Sequence, residues 1–275
     1  MKLTDQEFEQ IRALLHEQFG IKLADHKQAM VVGRLRKILS QEGYTSFSDF
    51  LDSLHKDSTG RELQILIDRM STNHTFFFRE NQHFSFFSSQ ILPEIAKSLR
   101  SKGSSDFRAW CAAASTGEEP YSIMMTMLEY FKEGYSDWKA GLLATDISSR
   151  VLEQAGSGVY GEDRMLGIPE NLKKRYLQPI ENGSWKFKEF VRKEILFRKF
   201  NLMNAFPFKK QFHVIFCRNV MIYFDQPTRN ELVKKLYQAT APGGYLLIGH
   251  SESIRSAECP YEYVQPAIFR KGDPG

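Results

Sequence analysis

The chain has 275 residues, 42% hydrophobic and 25% charged, with a formal net charge of +4, a composition that suits one large globular domain plus a small one. No apolar run approaches the roughly 20 residues that span a bilayer, and the polar start Met1-Lys2-Leu3-Thr4-Asp5-Gln6-Glu7 lacks the layout of a secretion signal. Cys111, Cys217 and Cys259 are few and far apart, which fits reduced core thiols in a cytoplasmic protein and no metal site.

Residues 1–70 read as helices only. Phe8, Ile11, Leu14 and Leu15 recur at helical spacing before a break at Gly20. A second helix is expected from about His26 to Gln41, with Val31, Val32, Leu35, Ile38 and Leu39 on one side. Lys27, Met30, Arg34 and Lys37 fall at i, i+3, i+7 and i+10 and form an exposed basic stripe beside that apolar face. The stripe suits docking on an acidic partner, and equally an ordinary solvated face. Leu51 and Leu54 mark a third helix; Leu63, Leu66, Ile67 and Met70 mark a fourth. Residues 71–90 form a linker in which Phe76, Phe77, Phe78, Phe84, Phe86 and Phe87 read as packing between two domains. Packing leaves Asn73, Thr75 and Arg79 unexplained.

From Asp106 the pattern changes to strand, loop, helix. Phe107–Ala113 is a strand candidate, and Pro120 opens a helix, where its missing N–H is not needed. Gly141–Thr145 is a second strand and Ile147–Ala155 a second helix. The stretch of about 157–200 is too long for a simple crossover. In it Ser184–Phe190 and Glu194–Phe200 read as short strands of an inserted antiparallel β-subdomain, with Asn182-Gly183 as their turn. This insertion holds ten basic residues and six acids, a surplus equal to that of the whole chain. Phe212–Cys217 has the apolar run of a central parallel strand. Glu231–Ala239 is a helix, Pro242-Gly243-Gly244 a turn, Tyr245–Gly249 a strand, and Tyr261–Val264 with Ala267–Arg270 a closing hairpin. The fold class is therefore α/β: a doubly wound, Rossmann-like domain over 91–275, preceded by an all-helical domain.

Open α/β sheets bind ligands beyond the carboxyl ends of their strands, near the point where strand order reverses. The first strand runs into Ala112-Ala113-Ala114-Ser115-Thr116-Gly117-Glu118-Glu119-Pro120, small residues that let a ligand approach the backbone at a helix N-terminus. One glycine does not make the dinucleotide fingerprint. Glu118 and Glu119 would repel a pyrophosphate and suit an ammonium group, pointing to S-adenosyl-L-methionine over NAD or ATP. The same acids are also ordinary at a helix start. The second strand ends in Asp146, placed to accept both ribose hydroxyls or to cap the next helix. The third ends in Arg218-Asn219, with Tyr223 four residues on, and a polar pair at a strand tip has no packing explanation.

At these residues the chain resembles the chemotaxis receptor methyltransferases, the CheR family. The match comprises 72–80 (Thr-Asn-His-Thr-Phe-Phe-Phe-Arg-Glu), 114–122, 144–147, 216–224 and 249–252 (Gly-His-Ser-Glu), in family order along essentially the whole chain. The resemblance implies methyl transfer from S-adenosyl-L-methionine to glutamate carboxylates of methyl-accepting chemotaxis receptors, leaving S-adenosyl-L-homocysteine. It implies that Asn73, Thr75 and Arg79 contact the cofactor from the linker, Glu118 its ammonium group, and Asp146 its ribose. Asn201-Leu202 would border the adenine and Arg218-Asn219 the methionine portion. Arg79 and Tyr223 would be the catalytic pair, Tyr223 lining the substrate entrance. Lys27, Arg34 and Lys37 would dock on the receptor's methylation region. In some members the β-subdomain grips a peptide at the receptor's C-terminal tail.

A glutamate carboxylate is ionised near neutral pH and needs no base. Transfer from a sulfonium merges two opposite charges, so a dry, aligned cleft supplies the catalysis. Arg79 and Tyr223 would orient the carboxylate, and His250 reads as structural. A nucleic-acid target is disfavoured, because Arg218-Asn219-Val220-Met221 stands where amino-directed enzymes carry an Asn/Asp-Pro-Pro-aromatic motif. No membrane insertion is expected. The competing reading is a non-catalytic module that binds the cofactor and a receptor.

Overall fold

The computed structural model describes residues 1–254 and 259–273. Helix α1 (Asp5–Phe19) begins with a capping box: the Glu7 N–H donates to Thr4 Oγ1 at 3.3 Å, and the Thr4 N–H donates to Glu7 Oε2 at 2.7 Å. Gly20 closes the helix in the left-handed region, at φ 70°. A 3₁₀ turn, Asp25–Lys27, leads into α2 (Gln28–Gln41), so Lys27 stands in the turn and not on the helix. With α3 (Phe47–Lys56) and α4 (Arg61–Met70), these helices turn Ile11, Leu15, Val31, Leu35, Leu39, Phe47, Phe50 and Leu66 into one dry core.

After the linker, α5 (Asn81–Phe86) and α6 (Leu92–Ser101) form one helical run interrupted by a π turn at Phe87–Ile91. Pro93 explains the interruption. It lacks an N–H and its ring crowds the carbonyl four residues back, so the run widens by one residue and Leu92 N–H bonds Phe87 O.

The remaining elements are β1 (Arg108–Ala112), α7 (Glu118–Phe131), β2 (Gly141–Asp146) and α8 (Ser149–Ser157). Then come β3 (Val159–Gly161), α9 (Glu170–Tyr176), β4 (Leu177–Pro179), β5 (Ser184–Phe187) and α10 (Glu189–Arg192). The chain ends with β6 (Ile195–Lys199), β7 (Phe212–Phe216), α11 (Gln226–Ala239), β8 (Thr240–Leu247), β9 (Glu262–Gln265) and β10 (Ile268–Arg270). Seven strands pair in the order β6-β2-β1-β7-β8-β10-β9, parallel except for β10 and β9. The order reverses between β1 and β7, which sets the ligand crevice there. Residues of β1 alternate between two cores, Ala109 and Cys111 against α7 and the linker aromatics, Trp110 and Ala112 against α11.

Three expectations are corrected. Glu194–Phe200 is not part of the inserted subdomain: β6 lies parallel to β2, with Leu142 opposite Ile195, as the edge of the main sheet. The insertion therefore ends before Ile195, and its three strands pair β3-β5-β4. Asn182-Gly183 joins β4 to β5, and both residues have positive φ (62° and 69°), which a tight turn of that kind requires. Pro242-Gly243-Gly244 is no turn but a kink within β8. Gly243 takes φ 71°, while its N–H bonds Lys271 O at 2.9 Å and Gly244 O accepts Lys271 N–H at 2.8 Å, so pairing continues across it.

Candidate active site

A cavity of about 440 Å³ lies at the carboxyl ends of β1, β2 and β7, within the range of small-molecule sites. Its lining comes from the strand tips, from Phe200, Asn201 and Leu202 after β6, from the linker with Ile67 and Met70 of α4, and from the segment between α1 and α2 with its neighbours Phe19, Met30 and Arg34.

The loop after β1 is folded sharply, with Ala113 at φ 72° and Ser115 at φ 49°. The Ala113 and Ala114 N–H groups both donate to Thr145 O at 2.8 Å, and the Ser115 N–H donates to Asp146 Oδ2 at 2.8 Å. Asp146 Oδ1 accepts the Ser148 N–H at 3.0 Å. Burial pushes the Asp146 carboxyl up, and these N–H groups oppose the shift. Capping of α8 falls to Ser148, whose Oγ takes the Val151 N–H. Asp146 is thus fixed at the tip of β2, on the wall of the cavity. Ser115 Oγ is buried with no partner among the described residues.

Glu118 requires a correction. Its side chain is fully buried and does not line the cavity; it pairs with Arg164 from the insertion and accepts from Thr116 Oγ1 at 2.6 Å. The acid on the cavity wall is Glu119, which pairs with Arg218. Adjacent helical residues point about 100° apart, so only one of the two acids can face the ligand.

Arg218 borders the cavity, but its guanidinium is fully buried and committed. It pairs with Glu119, donates to the Arg79 carbonyl, and meets Glu80 Oε2 at 3.1 Å. Asn219, at φ 57°, donates through Nδ2 to Glu80 Oε1 at 3.3 Å. Glu80 was not singled out from the sequence, yet it ties the linker to the β7 tip. Glu252 was also missed. Its carboxylate accepts four backbone N–H groups, from Asn219 (2.9 Å), Met221 (2.7 Å), Ile222 (3.3 Å) and Gly249 (2.6 Å). A Cβ on Gly249 would collide with Asn219. The Gly249–Glu252 stretch is thus the clamp that shapes the Arg218–Tyr223 loop, and an acid just past a strand tip was its signal.

On the linker, Asn73, Thr75 and Arg79 all line the cavity. Arg79 Nη1 donates to His74 O at 2.9 Å and lies 5.8 Å from the Phe76 ring centre. Asn73 Nδ2 donates to Ser71 Oγ at 3.2 Å. Asn201 and Leu202 line the far wall, Asn201 Nδ2 reaching Gln18 O at 2.8 Å. Tyr223 occupies a 3₁₀ turn, Met221–Tyr223, whose Tyr223 carbonyl accepts the Lys22 N–H at 2.8 Å. The basic stripe is not uniform. Lys27 is exposed where the cavity is lined and Lys37 is exposed away from it. Arg34 is not a free surface charge: its guanidinium donates to Met70 O at 2.6 Å and Thr72 Oγ1 at 3.0 Å, fastening α2 to the linker.

A strand-tip carboxylate, a small-residue loop and an aromatic-flanked crevice at the strand-order reversal define an α/β enzyme of the nucleoside-cofactor-binding class. Residues 73–268 match the family described as CheR methyltransferase, SAM binding domain, and residues 6–71 match CheR methyltransferase, all-alpha domain. The chain belongs to the CheR methyltransferase family. It is 41% identical over 272 residues to the chemotaxis protein methyltransferase of Borreliella burgdorferi, covering 98% of this chain and 96% of that one. Identity to Cher2 of Pseudomonas putida is 32% over 268 residues, 96% of each chain. Identity to the chemotaxis protein methyltransferase of Escherichia coli is 36% over 262 residues, 94% of this chain and 88% of that one. S-adenosyl-L-methionine is the cofactor of the larger domain, and the cleft suits it: Asp146 offers acceptors for ribose hydroxyls and Ser115 Oγ an unpaired polar atom. Among the described residues, no helix is long and apolar enough to cross a membrane.

Proposed function

We propose that this chain is a cytoplasmic protein-glutamate O-methyltransferase that esterifies glutamate side chains of methyl-accepting chemotaxis receptors. The observation that carries this reading is that Arg79 and Tyr223 line the same cavity as Asp146, with no second acid–base pair needed beside them. When bound, S-adenosyl-L-methionine supplies an electrophilic methyl group on a sulfonium.

The chain's own residues do the rest. Asp146 holds the ribose, Asn201 and Leu202 flank the adenine, and Asn73 and Thr75 close the site from the linker. Glu119, not Glu118, is the carboxylate that meets the ammonium group. Arg218 and Asn219 act by holding the Arg79 main chain and the loop that carries Tyr223. Arg79 pairs with the incoming carboxylate and Tyr223 donates to it, orienting an oxygen for in-line attack while the helical wall keeps water out. No proton is removed, because the nucleophile is already ionised.

Labelled cofactor incubated with the purified chain and receptor-bearing membranes should give a base-labile methyl ester on receptor glutamate. Arg79→Ala and Tyr223→Phe should lower turnover and leave the melting temperature nearly unchanged. Base-stable label, or no label on receptor, would overturn the assignment.

A further inference from the structure

Behind the Arg218 end of the cleft lies a cluster in which the methyl-transfer reading gives a part to Glu80 alone. Glu80, His83 and His250 bring one carboxylate oxygen and two ring nitrogens within 4.8 Å of one another. His83 is 1% exposed, and neither of its ring nitrogens has a hydrogen-bond partner among the described residues. Its Nδ1 stands 3.5 Å from Glu80 Oε2, and the His83 and His250 rings meet edge to face at 4.6 Å. A surface groove bordered by Asn81, Ser85, Gln265 and the exposed His250 leads to the cluster. A buried imidazole with both nitrogens unpaired is a rare arrangement that calls for a partner.

We propose that Glu80, His83 and His250 bind a divalent transition-metal ion, with zinc the best match. Two imidazoles and a carboxylate are the donor set that zinc, nickel and copper share, and calcium and magnesium avoid. Donors around a tetrahedral zinc sit about 3.3 Å apart given bonds of about 2.0 Å; rotation of the exposed His250 closes the difference.

The site competes with the cleft for one carboxylate. Glu80 Oε2 also meets Arg218 at 3.1 Å, and the same guanidinium holds the Arg79 carbonyl and Glu119. An ion that draws Glu80 away loosens Arg218 from the cofactor wall. Zinc binding and cofactor binding therefore oppose each other.

The test uses the full, tag-free chain, stripped with chelator and titrated calorimetrically with Zn²⁺ alone. One ion per chain is expected, and His250→Ala, which alters only an exposed side chain, should weaken binding by about tenfold or more. Cobalt(II) should give the visible bands of an imidazole-ligated tetrahedral ion in the wild type and lose them in His83→Leu. Saturating Zn²⁺ should weaken S-adenosylmethionine binding several-fold in the wild type and leave it unchanged in His250→Ala. Absence of stoichiometric Zn²⁺ uptake, or equal uptake by His250→Ala, would overturn the site. Cofactor affinity indifferent to bound Zn²⁺ would overturn the competition. Neither result depends on which residue the enzyme methylates.

Discussion

Two parts of the molecule flank the cofactor loop, and they are fastened to it differently. The β-subdomain is welded on. Tyr160 Oη donates to Thr116 O at 2.7 Å, Arg164 pairs with the fully buried Glu118, and the Phe187 ring stacks on Tyr121 of α7 at 3.9 Å. The helical domain touches the same body through sparse contacts that stay wet or half-wet. Among them are His16 to Asp225 at 2.9 Å, Asn201 to Gln18 O at 2.8 Å, and Gln64 to Ile147 O at 3.3 Å. Burial sets the strength of a polar contact, since a desolvated group left unpaired costs far more than an exposed one. One flank is therefore part of the catalytic body; the other is held to it mainly by exposed and half-exposed polar contacts.

The largest effect should come from the welded side. Arg164→Ala leaves the Glu118 carboxylate buried against Thr116 alone, which should destabilise the fold by about 3 kcal/mol in denaturant unfolding. A loss below about 0.5 kcal/mol, the range of ordinary surface changes, would mean that water reaches Glu118 and the contrast is false. Next, Asp146→Ala should weaken S-adenosylmethionine binding by on the order of 1–3 kcal/mol; calorimetry showing wild-type affinity would remove the ribose role.

The helical side should respond more weakly, and to pH. Hydrogen bonds from Thr228, then from His16, hold the Asp225 carboxyl down to about 2. A depressed carboxylate stabilises the fold above its ordinary range, and that contribution fades as pH falls towards 2. His16→Ala should cost no more than about 1 kcal/mol, and Asp225→Asn should flatten the acid limb of the unfolding profile. An unchanged acid limb in Asp225→Asn would break the link. Smallest of all, Lys37→Glu should slow receptor methylation only at low salt, because exposed charges are screened within about 8 Å at physiological ionic strength. Cofactor affinity should not change. Equal rates at low salt would show that this end of α2 is merely solvated.

Much of this architecture was legible because it depends on local pattern. The apolar run of β7, the small-residue loop after β1 and the helical spacing of Phe8, Ile11 and Leu15 each reflect short-range physics. What was illegible depends on partners distant in sequence. Glu194–Phe200 has strand character, but only the exposed edge of β2 decides that it joins the main sheet. Helical phase separates Glu118 from Glu119, and Arg164, 46 residues away, fixes which one turns inward. Arg34 belongs to a periodic basic stripe, yet the Met70 carbonyl at the end of α4 and the Thr72 hydroxyl claim it. Glu80 and Glu252 look like ordinary acids until four backbone N–H groups and a buried guanidinium converge on them.

The segment between α1 and α2 does more than wall the cleft. Ile21 forms an antiparallel bridge with Phe224, and the Lys22 N–H bonds the Tyr223 carbonyl. The strip that lines the cavity and the turn that carries Tyr223 into its wall are thus one hydrogen-bonded piece. The two are therefore expected to move together. The expected kinetic outcome is an ordered sequence, with cofactor bound before the methyl acceptor. Steady-state kinetics would carry that signature, with S-adenosylhomocysteine competing against S-adenosylmethionine but not against receptor.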